Sequence, residues 1–311
     1  MSMTKEMTSG KPYKLILSFA IPLILGNVFQ QLYNMVDTVI VGKFVGVNAL
    51  AGVGSTGAIN FLVIGFALGI CSGFSIMIAQ RFGAGDYSGM RKFIANSIYL
   101  CIAVAVILTA VTMLLTKPIL TVMNTPKEIY DYAYNYIIII FAGISATMFY
   151  NILSGILRAV GDSRTPLIFL GVSSVLNVGL DLLCIIVFKM GVAGAGIATV
   201  ISQAISAFLC LIYIRKNYDI LRFEHDEFKF EAHRAKRLVS VGIPMALQFS
   251  ITAIGSIILQ SAVNSLGTAS VASVTAATKI QTVAIGPMES LGITMACLLY
   301  TSPSPRDTER S

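Results

Sequence analysis

Eight stretches of this 311-residue chain run so long with so little charge that they are built for a bilayer. They cover roughly residues 15–41, 49–79, 93–115, 129–157, 166–188, 193–213, 238–264 and 270–297, called spans 1 to 8 in order. Most exceed the ~20 residues that cross ~30 Å of hydrocarbon at 1.5 Å per residue. Composition closes off the soluble alternative. Only 12% of residues are charged and the mean hydropathy is +0.80, too little charge to cover a water-soluble surface. The expected fold class is therefore an all-α polytopic membrane protein. No short apolar core followed by a small-residue cleavage site opens the chain, so no cleaved signal peptide is expected.

A net charge of +7 raises the question of nucleic acid, and its distribution answers it. If the N-terminus is cytoplasmic and every span crosses, the inner segments hold 15 Lys and Arg residues. The outer segments hold only Lys43, Lys117, Lys127 and Lys189. That is the asymmetry of the positive-inside rule, so the basic excess reads as topology and no nucleic-acid partner is expected.

The five cysteines are dispersed through the spans, with neither ligand spacing nor the pattern of a disulfide framework. His225 and His233 flank HDEFKFEAH, which reads as a solvated loop face rather than a metal site. Gly83 and Gly85 in QRFGAGDY fit a tight turn between spans 2 and 3; no strand precedes them, so a nucleotide loop is a weak reading. With no nucleophile–base pair in view, no enzyme activity, resident cofactor or metal is expected.

An internal repeat organises the chain. KLILSFAIPLILGN at span 1 returns loosely as KRLVSVGIPMALQF at span 7, aligning Pro22 with Pro244 at an offset of 222. FVGVNALAGVG then lies against SLGTASVASVT at an offset of 221. Both copies begin on the inner side, so the repeat is parallel, the plan of transporters with two halves around a substrate path. The expected domains are an N-lobe of six spans (1–214), a charged cytoplasmic linker (215–237) and the first two spans of a repeated C-lobe (238–297). The tail 298–311, LLYTSPSPRDTERS counted from its first residues at the span 8 boundary, reads as artefactual, and the native protein is expected to have twelve helices.

Four charged side chains fall well inside the spans: Asp37, Asp181, Lys279 and Glu289. An intramembrane carboxylate costs at least a few kcal/mol and marks a functional site by default. Asn177 and Asp181 are four apart and share a helix face. Counting from the outer ends, Asp37, Asp181 and Thr199 lie roughly 6, 10 and 9 Å deep, so one polar cluster is sterically reasonable. Gln30, Asn34 and Asp37 form a stripe at i, i+4 and i+7 that must face a cavity or other helices. Taken alone, Gln30, Asn34 and Thr199 read sooner as interhelical glue than as functional residues. Pro22 removes a backbone hydrogen bond and is a candidate bend. Lys279 and Glu289, about 15 Å apart along span 8, cannot pair with each other and are candidate cavity residues.

IPLILGNVFQQLYNMVDTVIVG, AQRFGAGDYSGMRK, SGILRAVGDSRTP and LNVGLDLLCI with GVAGAGIAT carry a resemblance. Over roughly residues 10–297 the chain resembles the multidrug and toxic compound extrusion transporters, in the branch related to the DNA-damage-inducible protein F. The resemblance implies two six-helix lobes forming a V. It implies a cation-coupling site at Asp37, Asn177, Asp181 and Thr199, and a bending helix-1 proline at Pro22. The implied activity is export of cationic amphipathic compounds by antiport with H⁺ or Na⁺, from a monomer in the bacterial plasma membrane with its N-terminus cytoplasmic. The expected partners are then a small organic cation and the lipid bilayer. The alternatives are a lipid-linked oligosaccharide flippase, a non-transporting truncated fragment and a channel. A flippase would need basic side chains lining its cavity, and spans 1–6 show no interior Lys or Arg.

Overall fold

The computed structural model describes residues 12–264 except Asn124 and His225, together with residues 285, 288, 290–292, 294 and 295. Lys279 and Glu289, with most of span 8 and the whole tail, lie outside the described residues; so does the side chain of Asn34.

The described elements are all helical: α1 (Pro12–Phe44), α2 (Val47–Ser55), α3 (Gly57–Gly83), α4 (Tyr87–Val122), α5 (Lys127–Ala142), α6 (Ile144–Ala159), α7 (Arg164–Leu182), α8 (Gly191–Asn217) and α9 (Ala232–Asn264). Among the described residues, six helices are long and apolar enough to cross a bilayer, and α5 with α6 makes a seventh crossing bent by 48°. The chain is a multi-pass membrane protein. Large apolar side chains stay exposed on the outer faces, Leu114 of α4 and Val175 of α7 at 78% and 77%. Lipid is the solvent that suits such faces, since each helix satisfies its own backbone.

Two expected spans are not continuous. Span 2 divides into α2 and α3 at Thr56, whose hydroxyl donates back to the Val53 carbonyl at 2.7 Å. Span 4 bends at Gly143, where a Cβ would stand 2.2 Å from Val200 of α8. Only glycine lets α8 approach that bend so closely. Pro22, the expected bend, lies inside an unbroken α1. Its missing N–H does not end the helix. The turn between α3 and α4 forms as expected: Gly85 takes a left-handed φ of 71°, and Asp86 caps α4 by accepting from the Gly89 N–H at 2.8 Å.

Span 5 ends with a change of winding. After Leu182 the chain enters a π-helical turn, Leu183–Val187, and the Phe188 N–H reaches back to the Leu183 carbonyl at 3.0 Å. Such single wide turns recur at functional positions in helices.

α9 packs along α3 with almost nothing between the two backbones. A Cβ on Gly69 would sit 2.4 Å from the Ala246 Cα, and one on Gly73 would sit 2.6 Å from the Gly242 Cα. Small residues at such a seam let van der Waals contact replace the hydrophobic effect, which lipid does not supply between helices. α1 and α9 are both 33 residues long with an internal proline.

The charged segment joining α8 to α9 is not simply a solvated face. Arg91 of α4 grips it: Nε donates to Glu227, Nη2 to Glu227 Oε1 at 2.8 Å and to Glu224 Oε1 at 3.2 Å, and Nη1 to the Ile220 carbonyl at 3.3 Å. Asn96 accepts the Glu231 N–H at 2.9 Å, and the Tyr99 hydroxyl donates to the Phe228 carbonyl at 2.9 Å. Glu227 is buried, because a bidentate guanidinium is the partner that lets a carboxylate leave water. The hydrogen bond from Arg91 holds its carboxyl at about 2, well below the usual range. His233 is exposed, as expected.

Candidate functional site

Three helices bring the polar cluster together. Asp37 comes from α1, Asn177 and Asp181 from α7, and Thr199 from α8. All four are buried, Asp181 completely. The i, i+4 spacing places Asn177 and Asp181 on the same α7 face. With its amide oriented to satisfy both ends, Asn177 donates to Asp181 Oδ2 at 3.3 Å and accepts from the Thr199 N–H at 3.2 Å. The Thr199 hydroxyl lies 3.3 Å from the same amide and donates to the Ala195 carbonyl at 3.0 Å. The Asp37 and Asp181 carboxyls come within hydrogen-bonding reach of each other. Two carboxyls can share such a bond only through a proton, and a cation is the other partner that could bridge them.

One oxygen on each carboxyl, Asp37 Oδ1 and Asp181 Oδ1, is buried without a hydrogen bond. Unsatisfied buried acceptors are costly, so they mark a place built for something that donates or coordinates. Oxygen donors from carboxylate, amide and hydroxyl suit a hard monovalent cation as well as a proton. Among the described residues, no group of three or more His, Cys, Asp and Glu side chains could hold a resident metal.

Toward this cluster, at the Gln30 and Ser173 level, a cavity of about 180 Å³ with mixed polar and apolar lining opens between α1, α3, α6, α7 and α8. Pro22 and Gln30 line it, so one residue of the three-membered helix-1 stripe faces a cavity. Asn27, which the sequence reading passed over, lines it too and donates to Ser290 Oγ at 2.8 Å, tying α1 to span 8. The far wall comes from α6, through Thr147, Asn151, Ser154 and Arg158. Their spacing is i, i+4, i+7 and i+11, the same signal that marked α1, and it was there to be read. Arg158 corrects an expectation. It is a basic side chain lining the interior, where spans 1–6 were expected to show none; α6 continues two residues beyond the expected end of span 4 and carries it in.

A helical membrane bundle with a buried carboxyl pair near an internal cavity defines an integral membrane protein whose polar residues gather in its interior rather than on the lipid face. Residues 22–183 match the MatE family, and the chain belongs to it. It is 32% identical over 263 residues to "Probable multidrug resistance protein YpnP" of Bacillus subtilis (strain 168), an alignment covering 84% of this chain. The chain spans 58% of that relative's length. Two solved structures superpose over the whole chain at 26% identity, each over 69% of its own length. One is described as a MOP superfamily transporter from Pyrococcus furiosus Vc1 (TM-score 0.90), the other as the outward-facing conformation of a multidrug resistance MATE family transporter (TM-score 0.89).

Proposed function

We propose that this chain forms the coupling half of a secondary efflux transporter that exports cationic amphipathic compounds in exchange for H⁺ or Na⁺. One observation carries the reading: Asp37 and Asp181 meet in the bundle interior with a buried, unsatisfied oxygen each. An ionised pair attracts an organic cation to the cavity. A proton or Na⁺ taken up by the pair, with Asn177 and Thr199 beside it, removes that attraction. Substrate and coupling ion then compete, which is the requirement for antiport. One charge moving inward down 100 mV supplies about 2.3 kcal/mol.

In this reading residues 1–214 are the N-lobe and 238–297 open a second lobe, with the N-terminus cytoplasmic in a bacterial plasma membrane. Relatives named as multidrug resistance proteins support the substrate class. A lipid-linked oligosaccharide flippase is the second reading, favoured by Arg158 in the cavity. The carboxyl pair opposes it, because two acids against the single Arg158 give the region the wrong net charge for a substrate whose charged groups are all phosphates.

The test is efflux of a fluorescent organic cation from energised vesicles, wild type against Asp181→Asn, with the H⁺ and Na⁺ gradients imposed and collapsed in turn. Gradient-dependent efflux that the substitution abolishes supports the proposal. Efflux indifferent to both gradients and to the substitution sinks it, and no efflux from wild type assigns the chain to a non-transporting fragment.

A further inference from the structure

The cavity carries one charged lining residue, Arg158, on the side away from the carboxyl pair. Gln30 and Ser173 connect it toward the carboxyl pair: Gln30 is two helical turns from Asp37 on α1, and Ser173 is one turn from Asn177 on α7. Toward the α6–α7 turn it is lined by Arg158, the last rung of the α6 polar stripe. Side chains on an α-helix lean toward its N-terminus, so the Arg158 stem is directed from the α6–α7 turn back along the wall carrying Ser154 and Asn151.

Arg158 forms no ion pair among the described residues, unlike Arg81 with Asp86 and Arg91 with Glu227. The nearest acid in sequence, Asp162, is committed elsewhere. Its Oδ1 accepts the Arg164 and Thr165 N–H groups, both at 3.0 Å, and its Oδ2 accepts the Tyr218 hydroxyl at 2.6 Å. One turn from Arg158, the Ser154 hydroxyl is 1% exposed and interacts with the Tyr150 hydroxyl, which itself donates to the Pro166 carbonyl at 3.2 Å. A partly enclosed guanidinium that lines a cavity and makes no hydrogen bond of its own among the described residues is costly, and a ligand oxyanion would satisfy it. The guanidinium fork matches the two oxygens of a carboxylate or phosphate.

We propose that the Arg158 end of the cavity is a subsite for an anionic group, the carboxylate or phosphate of an amphiphile whose cationic part lies toward Asp37 and Asp181. The placing of the cationic part rests on the proposed function; the anionic subsite does not. A volume of about 180 Å³ admits such a headgroup rather than a whole amphiphile. The ligand class favoured is then zwitterionic, with its charges held at opposite ends of one bundle.

Rhodamine 110 and its methyl ester, rhodamine 123, differ only in a free carboxylate and test this directly. Binding of each to the purified chain in phosphatidylcholine nanodiscs is followed by fluorescence anisotropy. Arg158→Gln is expected to weaken rhodamine 110 by about tenfold, the size of one lost charge-assisted hydrogen bond, and to leave the ester unchanged. Arg158→Lys keeps the charge and loses the fork, so it should recover part of the difference. If Arg158→Gln does not fold, the wild type still decides, because inorganic phosphate should displace the acid and spare the ester. Equal loss for both dyes, or no loss for either, overturns the subsite. Replacing part of the phosphatidylcholine with phosphatidylglycerol separates two sources of the same anion. Selective weakening of the acid relative to the ester assigns the subsite to a lipid headgroup, and an unchanged ratio assigns it to the transported ligand. Asp181→Asn should alter the ester and keep the Arg158-dependent difference, so failure of the coupling site and failure of the subsite are distinguishable.

Discussion

Asp37 of α1 and Asp181 of α7 turn their carboxyl groups toward each other inside the helix bundle, and each keeps one buried oxygen unsatisfied. Two ionised carboxyls at this distance repel strongly in a low-dielectric interior. Fold stability is therefore expected to depend on what neutralises them. The melting temperature of the purified chain should rise on Na⁺ addition at fixed pH or on mild acidification at fixed Na⁺, and Asp37→Asn should abolish that dependence. A wild-type melting curve blind to both would remove the pair from the coupling proposal.

Thr199 supports the cluster from α8. Its N–H and hydroxyl both approach the Asn177 amide, and the hydroxyl also bonds Ala195. Thr199→Val preserves shape and removes only the hydroxyl, so the backbone contact survives. The expected cost is about 1 kcal/mol of stability, the size of one interhelical hydrogen bond in a membrane protein. Ion dependence should weaken without disappearing. Thermal melts with and without Na⁺ measure both, and loss of all ion response would instead make the hydroxyl indispensable.

The segment joining α8 to α9 has a defined pH window. Glu227 is held at about 2 by the Arg91 hydrogen bond, against an ordinary 4.5. A depressed carboxyl stabilises the fold above its unfolded value and loses that contribution as pH falls through the folded one. Amide protection across residues 219–231, corrected for intrinsic exchange, should stay level down to about 4.5 and fall away toward 2. Arg91→Ala leaves a buried carboxylate alone and should cost on the order of 3 kcal/mol at neutrality. Glu227→Gln should cost less. The reverse ranking would mean that Arg91 acts through packing alone.

At the α3–α9 seam, adding one carbon should be enough to separate two helices. Gly73→Ala places a Cβ 2.6 Å from the Gly242 backbone, where no flexible side chain can give way. Overpacking of this kind costs about 1–3 kcal/mol. Gly57→Ala is the control, because nothing lies within 4 Å of its added carbon. Equal melting temperatures for the two variants would contradict backbone contact at the seam.

Hydropathy located the crossings because lipid imposes one rule on every residue of a span. The break at Thr56 falls in GVGSTGAIN, small residues inside a long span that hydropathy alone does not divide, and the close neighbour of the bend at Gly143, Val200, is distant in sequence. The cluster was legible for a different reason. A carboxylate in hydrocarbon is conspicuous, and the i, i+4 spacing fixes Asn177 beside Asp181; their meeting with Asp37 and Thr199 depends on helix packing and needed coordinates. Arg158 is hard to place from hydropathy because it follows the last apolar residue of its span, although Thr147, Asn151 and Ser154 mark its face. Glu227 was taken for a solvated charge because its partner, Arg91, stands 136 residues away.

The wide turn at Leu183–Val187 starts two residues after Asp181. A π-turn stores one surplus residue in an otherwise regular helix, and such a surplus can be handed along the chain without unfolding it. Passed toward the N-terminus beyond Asp181, it would turn that carboxyl about the axis by roughly 100°, the angle of one α-helical residue. The backbone beside the most deeply buried acid thus carries a built-in click stop, by which α7 could turn Asp181 toward Asp37 or away from it while every neighbouring turn keeps its hydrogen bonds.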